Sequence, residues 1–295
     1  METSDKAWRK EMVPVLSVLN MKGGVGKTTV SAHVMRVLYH RQQKRVLLVD
    51  LDPQFNLTQA LLTQADYDDI LEAKKTVMAA FEPQPSNDFF KVKSTKNAPP
   101  AASSLTKRLR QIGKGEKAKL DIIPGAFDLM KYTMIDDPAQ LKIASDHFKW
   151  FISTAKNEYD LIVLDCNPSS SFVTKCALEN STHVLSPVRP DKFSVLGVGM
   201  VDRLFQHLSL APVHMTLING VRRYDPASPV EIELKAHPKF GATVLGQRLN
   251  VSTHLEAHPS YTGFATDRKG PYSSVLRAEI GKIADEISHR LGGWS

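Results

Sequence analysis

The sequence of 295 residues predicts an α/β fold, a mostly parallel, twisted sheet with helices on both faces. Apolar runs of strand length recur at Val13 to Leu19, Arg45 to Asp50, Leu120 to Ile123, Leu161 to Asp165, His183 to Val188 and Val213 to Ile218. They are β-branched and nearly continuous rather than alternating, which is how strands covered on both faces read. Segments of helical length lie between them. After the first run stands the glycine-rich loop Lys22-Gly23-Gly24-Val25-Gly26-Lys27-Thr28-Thr29, in the strand-to-helix context that a phosphate-binding loop requires.

Taken in chain order, that loop is the first element with chemistry. Its glycines let backbone N–H groups fold inward around phosphates, and the helix after it adds the positive end of its dipole. Lys27 is placed to reach the β- and γ-phosphates of a nucleotide, and Thr28 to hold Mg²⁺. A second lysine, Lys22, stands where the ordinary loop needs none. The fold class is thus narrowed to the P-loop NTPases.

The second run ends in Asp50-Leu51-Asp52, and the run Leu161 to Asp165 ends in a third aspartate. Acids at strand carboxyl ends beside a phosphate loop serve metal and water. Asp165 fits the acid that orients Mg²⁺, Asp52 the residue that positions a hydrolytic water, and Asp50 joins Thr28 and Asp165 as a candidate at the metal. A lone aspartate ending a strand is more often a cap or turn residue; three behind one loop are poorly explained that way.

Between about 83 and 119 the pattern suits neither period. Pro83, Pro85, Pro99 and Pro100 mix with Ser, Asn and Lys, so we expect an insertion loop with a short basic helix around Ser104 to Ile112. From Gln84 to Leu120 nine Lys and Arg face two acids, which accounts for the chain's whole formal charge of +7. Such a stretch suggests an acidic partner such as nucleic acid, or a solvated loop that only aids solubility. At the C-terminus, Leu276, Ile280, Ile283, Ile287 and Leu291 share one helical face. Its polar side mixes acids with bases, which favours a core-facing helix over one lying on a membrane.

Composition excludes other classes. With 42% hydrophobic residues the chain can bury a large core as one domain over 1–295, and no apolar run reaches membrane-spanning length. Residues Met1 to Lys10 lack the apolar core of a secretion signal, and Cys166 and Cys176 are the only cysteines, so a reduced cytoplasm is expected. Their spacing is not the C-x-x-C of a cluster carrier. His254 and His258 flank Glu256, but a zinc protease needs Glu directly after the first His, where Leu255 stands. No G-x-S-x-G anchors serine hydrolase chemistry.

These motifs together resemble the ParA/MinD family of deviant Walker-A ATPases, and most closely its ParA partition and positioning branch. The resemblance rests on Lys22 to Thr29, on Asp50-Leu51-Asp52-Pro53-Gln54-Phe55-Asn56-Leu57-Thr58, and on Asp165 with Pro168-Ser169. Later matches are Leu185-Ser186-Pro187-Val188 leading to Phe193 and Gly197, Thr216 to Asn219 before Arg222 to Pro226, and Arg248 to Ser260.

The resemblance implies an ATP- and Mg²⁺-dependent switch. Lys22 would reach across a homodimer to the partner's phosphates, so that two subunits sandwich two ATP molecules, with Lys27 and Asp52 serving hydrolysis. Pro187 and Asn219 match positions that contact the adenine. The ATP-bound dimer would bind DNA without sequence preference, a ParB-like or adaptor protein would trigger hydrolysis, and the protein would be bacterial and nucleoid-associated, positioning a plasmid, chromosome region or protein assembly. Lys107, Arg108, Arg110, Arg222, Arg223 and Arg248 are the candidate DNA contacts. A MinD-like membrane ATPase and a metabolic ATP-dependent enzyme are the alternatives. Phe55 in place of a glycine, Cys166-Asn167 in place of threonine and proline, and Ser170-Ser171 in place of leucine and glycine depart from the family pattern, so the hydrolysis rate is open.

Overall fold

The computed structural model describes residues 13–82, 84, 88–93, 97–113, 117–256 and 262–292. Met1 to Lys10, Pro83, Pro85, Lys96, Lys114, Glu116, Ala257, His258, Pro259 and Ser260 lie outside them. Its centre is one sheet of eight strands: β1 (Val15–Val18), β2 (Arg45–Asp50), β3 (Lys107–Ile112), β4 (Ala118–Ile123), β5 (Leu161–Asp165), β6 (His183–Val188), β7 (Val213–Val221) and β8 (Val244–Asn250). They run in the order β3-β4-β2-β5-β1-β6-β7-β8. Every pairing is parallel except β3 with β4.

Alternate strand residues feed opposite faces. Leu47, Val49, Ile162 and Leu164 pack with Phe148, Phe151, Ala177 and Val201 from three helices on one side. Val46, Leu48, Leu161 and Val163 pack on the other with Met35, Leu38, Ile280 and Ile283. The C-terminal helix Ser273–Arg290 buries Leu276, Ile280, Ile283 and Ile287, so its apolar stripe faces the core.

Two strands are absent from the sequence expectations. Lys107–Ile112, expected within a basic helix, is an antiparallel edge strand with a bulge between Arg108 and Arg110; the helix stops at Leu105. Pairing with β4 overrides the local pattern. The described part of the 83–119 stretch is also less a free loop than expected. The Glu158 carboxylate accepts from the backbone N–H groups of Ala102 and Ser103, and buried Glu82 takes Lys131 Nζ at 2.7 Å, Tyr132 Oη at 2.8 Å and the Lys93 N–H at 3.1 Å. The second missed strand, Val244–Asn250, carries Gly246 and Gln247 exposed in its middle, which breaks the apolar run that marks the others.

Candidate active site

β1 lies between β5 and β6, so the connection from β1 to β2 must pass over β5. Such a crossing leaves a crevice at the carboxyl ends of the strands. Here it is a cleft of about 490 Å³ lined by the phosphate loop, by Asp52 and Gln54 after β2, by Pro168 after β5, by Arg189 after β6, and by Asn219 and Gly220 from β7. The segment after β8, with Val251, Ser252, Leu255 and Glu256, closes one side.

The loop takes its shape from Gly24 and Gly26, at φ +71° and +95°. Gly26 admits no side chain, because a Cβ there would meet Asn219 Nδ2 at 2.1 Å. That amide donates instead to the Val25 carbonyl at 2.7 Å, tying β7 to the loop. Lys27, 8% exposed, donates to the carbonyls of Asn20 and Lys22 at 3.3 and 3.1 Å. An ammonium has three donors. Burial first, opposed by the charges of Asp165 and Asp52, lowers its pKa.

The chain then turns into helix at Lys27, with a π-helical turn over Val30–Val34 before Met35–Gln42. This run presents two hydroxyls to one carboxylate: Thr28 Oγ1 donates to Asp165 Oδ2 at 3.1 Å and Ser31 Oγ to Asp165 Oδ1 at 2.7 Å. His33, in the same turn, accepts from the Ala265 N–H at 3.2 Å; burial lowers its pKa to about 4.

Asp50 is turned away from that group. Its Oδ2 accepts from the Thr58 N–H and hydroxyl at 2.9 and 2.7 Å, and its Oδ1 from the Asp52 N–H at 3.2 Å, so it braces the loop that carries Asp52 into the cleft. Thr29, with Gly23 and Gly24, also lines the cleft. Pro187 does not: it is buried within β6, where its carbonyl accepts from Asn20 Nδ2 at 2.8 Å. Lys22 is outside the lining as well, ion-paired with Asp191 and 5.4 Å from the Phe193 ring centroid. Arg189 and Ser31 are absent from the sequence expectations, and Gln54 enters them only within the motif Asp50 to Thr58; Arg189 directly follows an apolar run, much as Asp165 ends one.

The six candidate DNA-contacting cations fall into two groups at opposite edges of the sheet. On β3, Lys107 pairs with Asp66 at 2.7 Å, Arg108 with buried Asp121, and Arg110 with Asp267 at 2.8 Å. Near β8, Arg223 pairs with Glu279 at 3.0 Å and Arg248 with Glu231 at 3.3 Å, while Arg222 is exposed and has no ion-pair partner among the described residues. Arg223, Arg248 and Lys282 border one surface depression of about 350 Å³.

Other metal readings find no support among the described residues, where no group of three His, Cys, Asp or Glu could hold an ion. His254 Nε2 donates to the Pro271 carbonyl at 2.8 Å, and both thiols are free and buried, pushed up to about 12 by burial. The departures have local explanations. Phe55 sits at φ +40°, a conformation that favours glycine, and stacks on Tyr67 with ring centroids 5.2 Å apart. Ser171 caps the helix Phe172–Glu179, accepting from the Thr174 N–H, and Asn167 Oδ1 accepts from Thr174 Oγ1 at 2.8 Å.

Fold and site define a P-loop ATPase of α/β architecture, and residues 13–214 match the family described as an AAA domain. More particularly, the chain belongs to the ParA/Soj-type ATPases of the ParA/MinD family. It is 30% identical over 223 residues to the sporulation initiation inhibitor protein Soj of Bacillus subtilis, covering 71% of this chain and 72% of that one. Other relatives are matched over as little as 42% of their own length. Among solved structures, pNOB8 ParA bound to nonspecific DNA has TM-score 0.61 at 20% identity, covering 95% of this chain and 99% of that one. Cobyrinic acid a,c-diamide synthase from Mycobacterium smegmatis, with bound ATP analog and magnesium, has TM-score 0.67 at 21% identity, covering 94% and 95%. These two share the fold.

Proposed function

We propose that the protein is an ATPase of ParA type, dimerising on ATP, binding DNA without sequence preference in that state, and segregating or positioning a cargo until a partner protein stimulates hydrolysis. The observation that carries the reading is that Lys27, Thr28 and Asp52 line one cleft, with buried Asp165 accepting from the Thr28 hydroxyl behind it.

The residues present fit Mg²⁺ and a nucleoside triphosphate. The Thr28 hydroxyl and the Asp165 carboxylate are hard oxygen donors 3.1 Å apart, the set that Mg²⁺ takes together with water and phosphate. When bound, Mg²⁺ would neutralise charge on the β- and γ-oxygens. The protein's own part is electrostatic and geometric. Lys27 has a donor left for a phosphate oxygen, and Asp52, fixed through Asp50 and by the Gln54 N–H at 2.9 Å, would accept a hydrogen bond from the attacking water.

Dimerisation would require Lys22 to leave Asp191 and meet the partner's phosphates, where a second cation lowers the cost of joining two anionic faces. For DNA we favour the surface around Arg222, the one of the six candidate cations without an ion-pair partner among the described residues; its neighbours Arg223 and Arg248, like the β3 cations, are each held by an acid. A membrane-surface role for the C-terminal helix is disfavoured by the burial of its apolar stripe. That no described helix is long and apolar enough to cross a membrane is consistent with this reading.

Phosphate release measured with and without duplex DNA tests the proposal, alongside gel retardation at low salt. Retardation that needs ATP and is lost in Lys27→Ala is the expected result; retardation identical in that variant would remove the DNA half.

A further inference from the structure

Among the described residues the cleft lining holds two cations, Lys27 and Arg189, against the carboxylates of Asp52 and Glu256. Without Arg189 the wall would be formally negative toward a strongly anionic ligand. Lys22, the cation the motif points to, is held by Asp191 in the single chain and borders a small neighbouring depression rather than the cleft. Arg189 borders both spaces, beside Val25 of the phosphate loop.

Its position is built. The Arg189 carbonyl accepts from Ser194 Oγ and from the Asp191 N–H, which fixes the backbone as it leaves β6. Its side chain lies over Gly220, where a Cβ would stand 3.1 Å from Nε and 3.4 Å from Cγ, and Gly220 takes φ +73°. Gly220 in turn follows Asn219, whose amide holds the Val25 carbonyl. The guanidinium stem is thus set one residue away from the contact that anchors the loop. Arg189 is exposed and has no ion-pair partner among the described residues.

We propose that Arg189 binds the polyphosphate of the nucleotide in its own protomer's cleft, an assignment that rests on the nucleotide reading above. A guanidinium offers a planar fork of donors matched to phosphate oxygens, so it can grip two at once where lysine acts as a point charge. In this arrangement a single protomer supplies two cations to its own ligand, and Lys22 remains available for a second subunit.

The test is calorimetric titration with ATP, GTP and inorganic tripolyphosphate, all with Mg²⁺, at protein concentrations where sedimentation shows monomers. Arg189→Ala is expected to weaken all three by about tenfold, the size of one charge-assisted hydrogen bond, with Arg189→Lys in between. Lys192→Ala, three residues away on the exposed loop, should change none. Unchanged binding in Arg189→Ala overturns the proposal. So does a loss for ATP that spares tripolyphosphate, which would place the side chain at the base or ribose. So does a loss seen only once dimers form, which would assign the guanidinium to the partner's nucleotide. Lys27→Ala separates the two levels: if it too binds all three unchanged, the cleft reading falls together with this one; if it abolishes binding while Arg189→Ala does not, only Arg189's role is lost.

Discussion

Asp50 and Asp165 stand opposite each other in the register of β2 and β5, yet their carboxylates serve different loops, Asp50 facing Thr58 and Asp165 facing Thr28 and Ser31. Two buried acids this close share an electrostatic penalty. Burial first, then the charge of Asp165, raises Asp50 to about 8, and burial raises Asp165 to about 6 against the hydroxyls that lower it.

A stability profile against pH follows. A carboxyl whose folded pKa lies above its unfolded value binds more protons folded than unfolded between the two. The nucleotide-free protein should therefore lose stability as pH climbs through about 6 and on toward 8, a penalty absent below about 4. Thermal melting at pH 5 and 8 checks this, at roughly 2–4 °C of Tm per kcal/mol lost. Asp165→Asn should flatten the slope; equal slopes in the two proteins would contradict the account.

The Lys22 and Asp191 pair makes a second prediction. Asp191 is held below the usual carboxylate range, first by the hydrogen bond from Lys22, and both side chains are about two-fifths exposed. Such a pair contributes about 0.2–1 kcal/mol. Asp191→Asn should therefore lower the ATP concentration needed for half-dimerisation by no more than about fivefold. Lys22→Ala should keep measurable ATP binding but lose the dimer, read by light scattering with ATP.

Phe55 carries strain and a compensating contact. A left-handed non-glycine residue costs about 1–2 kcal/mol, and an aromatic pair contributes about 0.5–1.5 kcal/mol beyond burial. Phe55→Gly should leave stability within about 1 kcal/mol of wild type in urea unfolding. Tyr67→Ala, which removes the stack and the hydroxyl's bond to the Gly125 carbonyl while keeping the strain, should destabilise by about 1–3 kcal/mol.

Neutralising the two basic groups should have different consequences. Arg108→Gln leaves Asp121 with Tyr159 Oη at 2.7 Å and Lys119 at 3.7 Å, and should cost about 1–3 kcal/mol of stability. Together with Lys107→Gln and Arg110→Gln it should leave the salt dependence of DNA binding unchanged. Arg222→Gln should reduce the slope of log affinity against log salt by about 1, measured by fluorescence anisotropy on random duplex.

Arg45–Asp50, Leu161–Asp165 and His183–Val188 form with the bounds their apolar runs mark, because a strand buried on both faces leaves a local trace in every residue. The phosphate loop is equally local: its glycines, lysine and threonine act within eight consecutive residues, so their spacing alone specifies the chemistry. The C-terminal helix belongs with these, its stripe fixing the buried face.

Tertiary contacts decided the rest. Half of β3 is charged, and it becomes a strand through pairing with β4 and ion pairs to Asp66, Asp121 and Asp267, partners that lie 13 to 157 residues away in the chain for its arginines and 41 for Lys107. Asp50, equal to Asp165 in its sequence context, was separated from it by Thr58. Arg189 became a cleft residue only because β6 lies next to β1 and Gly220 leaves room for its stem. A motif records chemistry carried by neighbours in sequence; charge pairing and side-chain direction depend on which strands lie side by side, which only the folded sheet specifies.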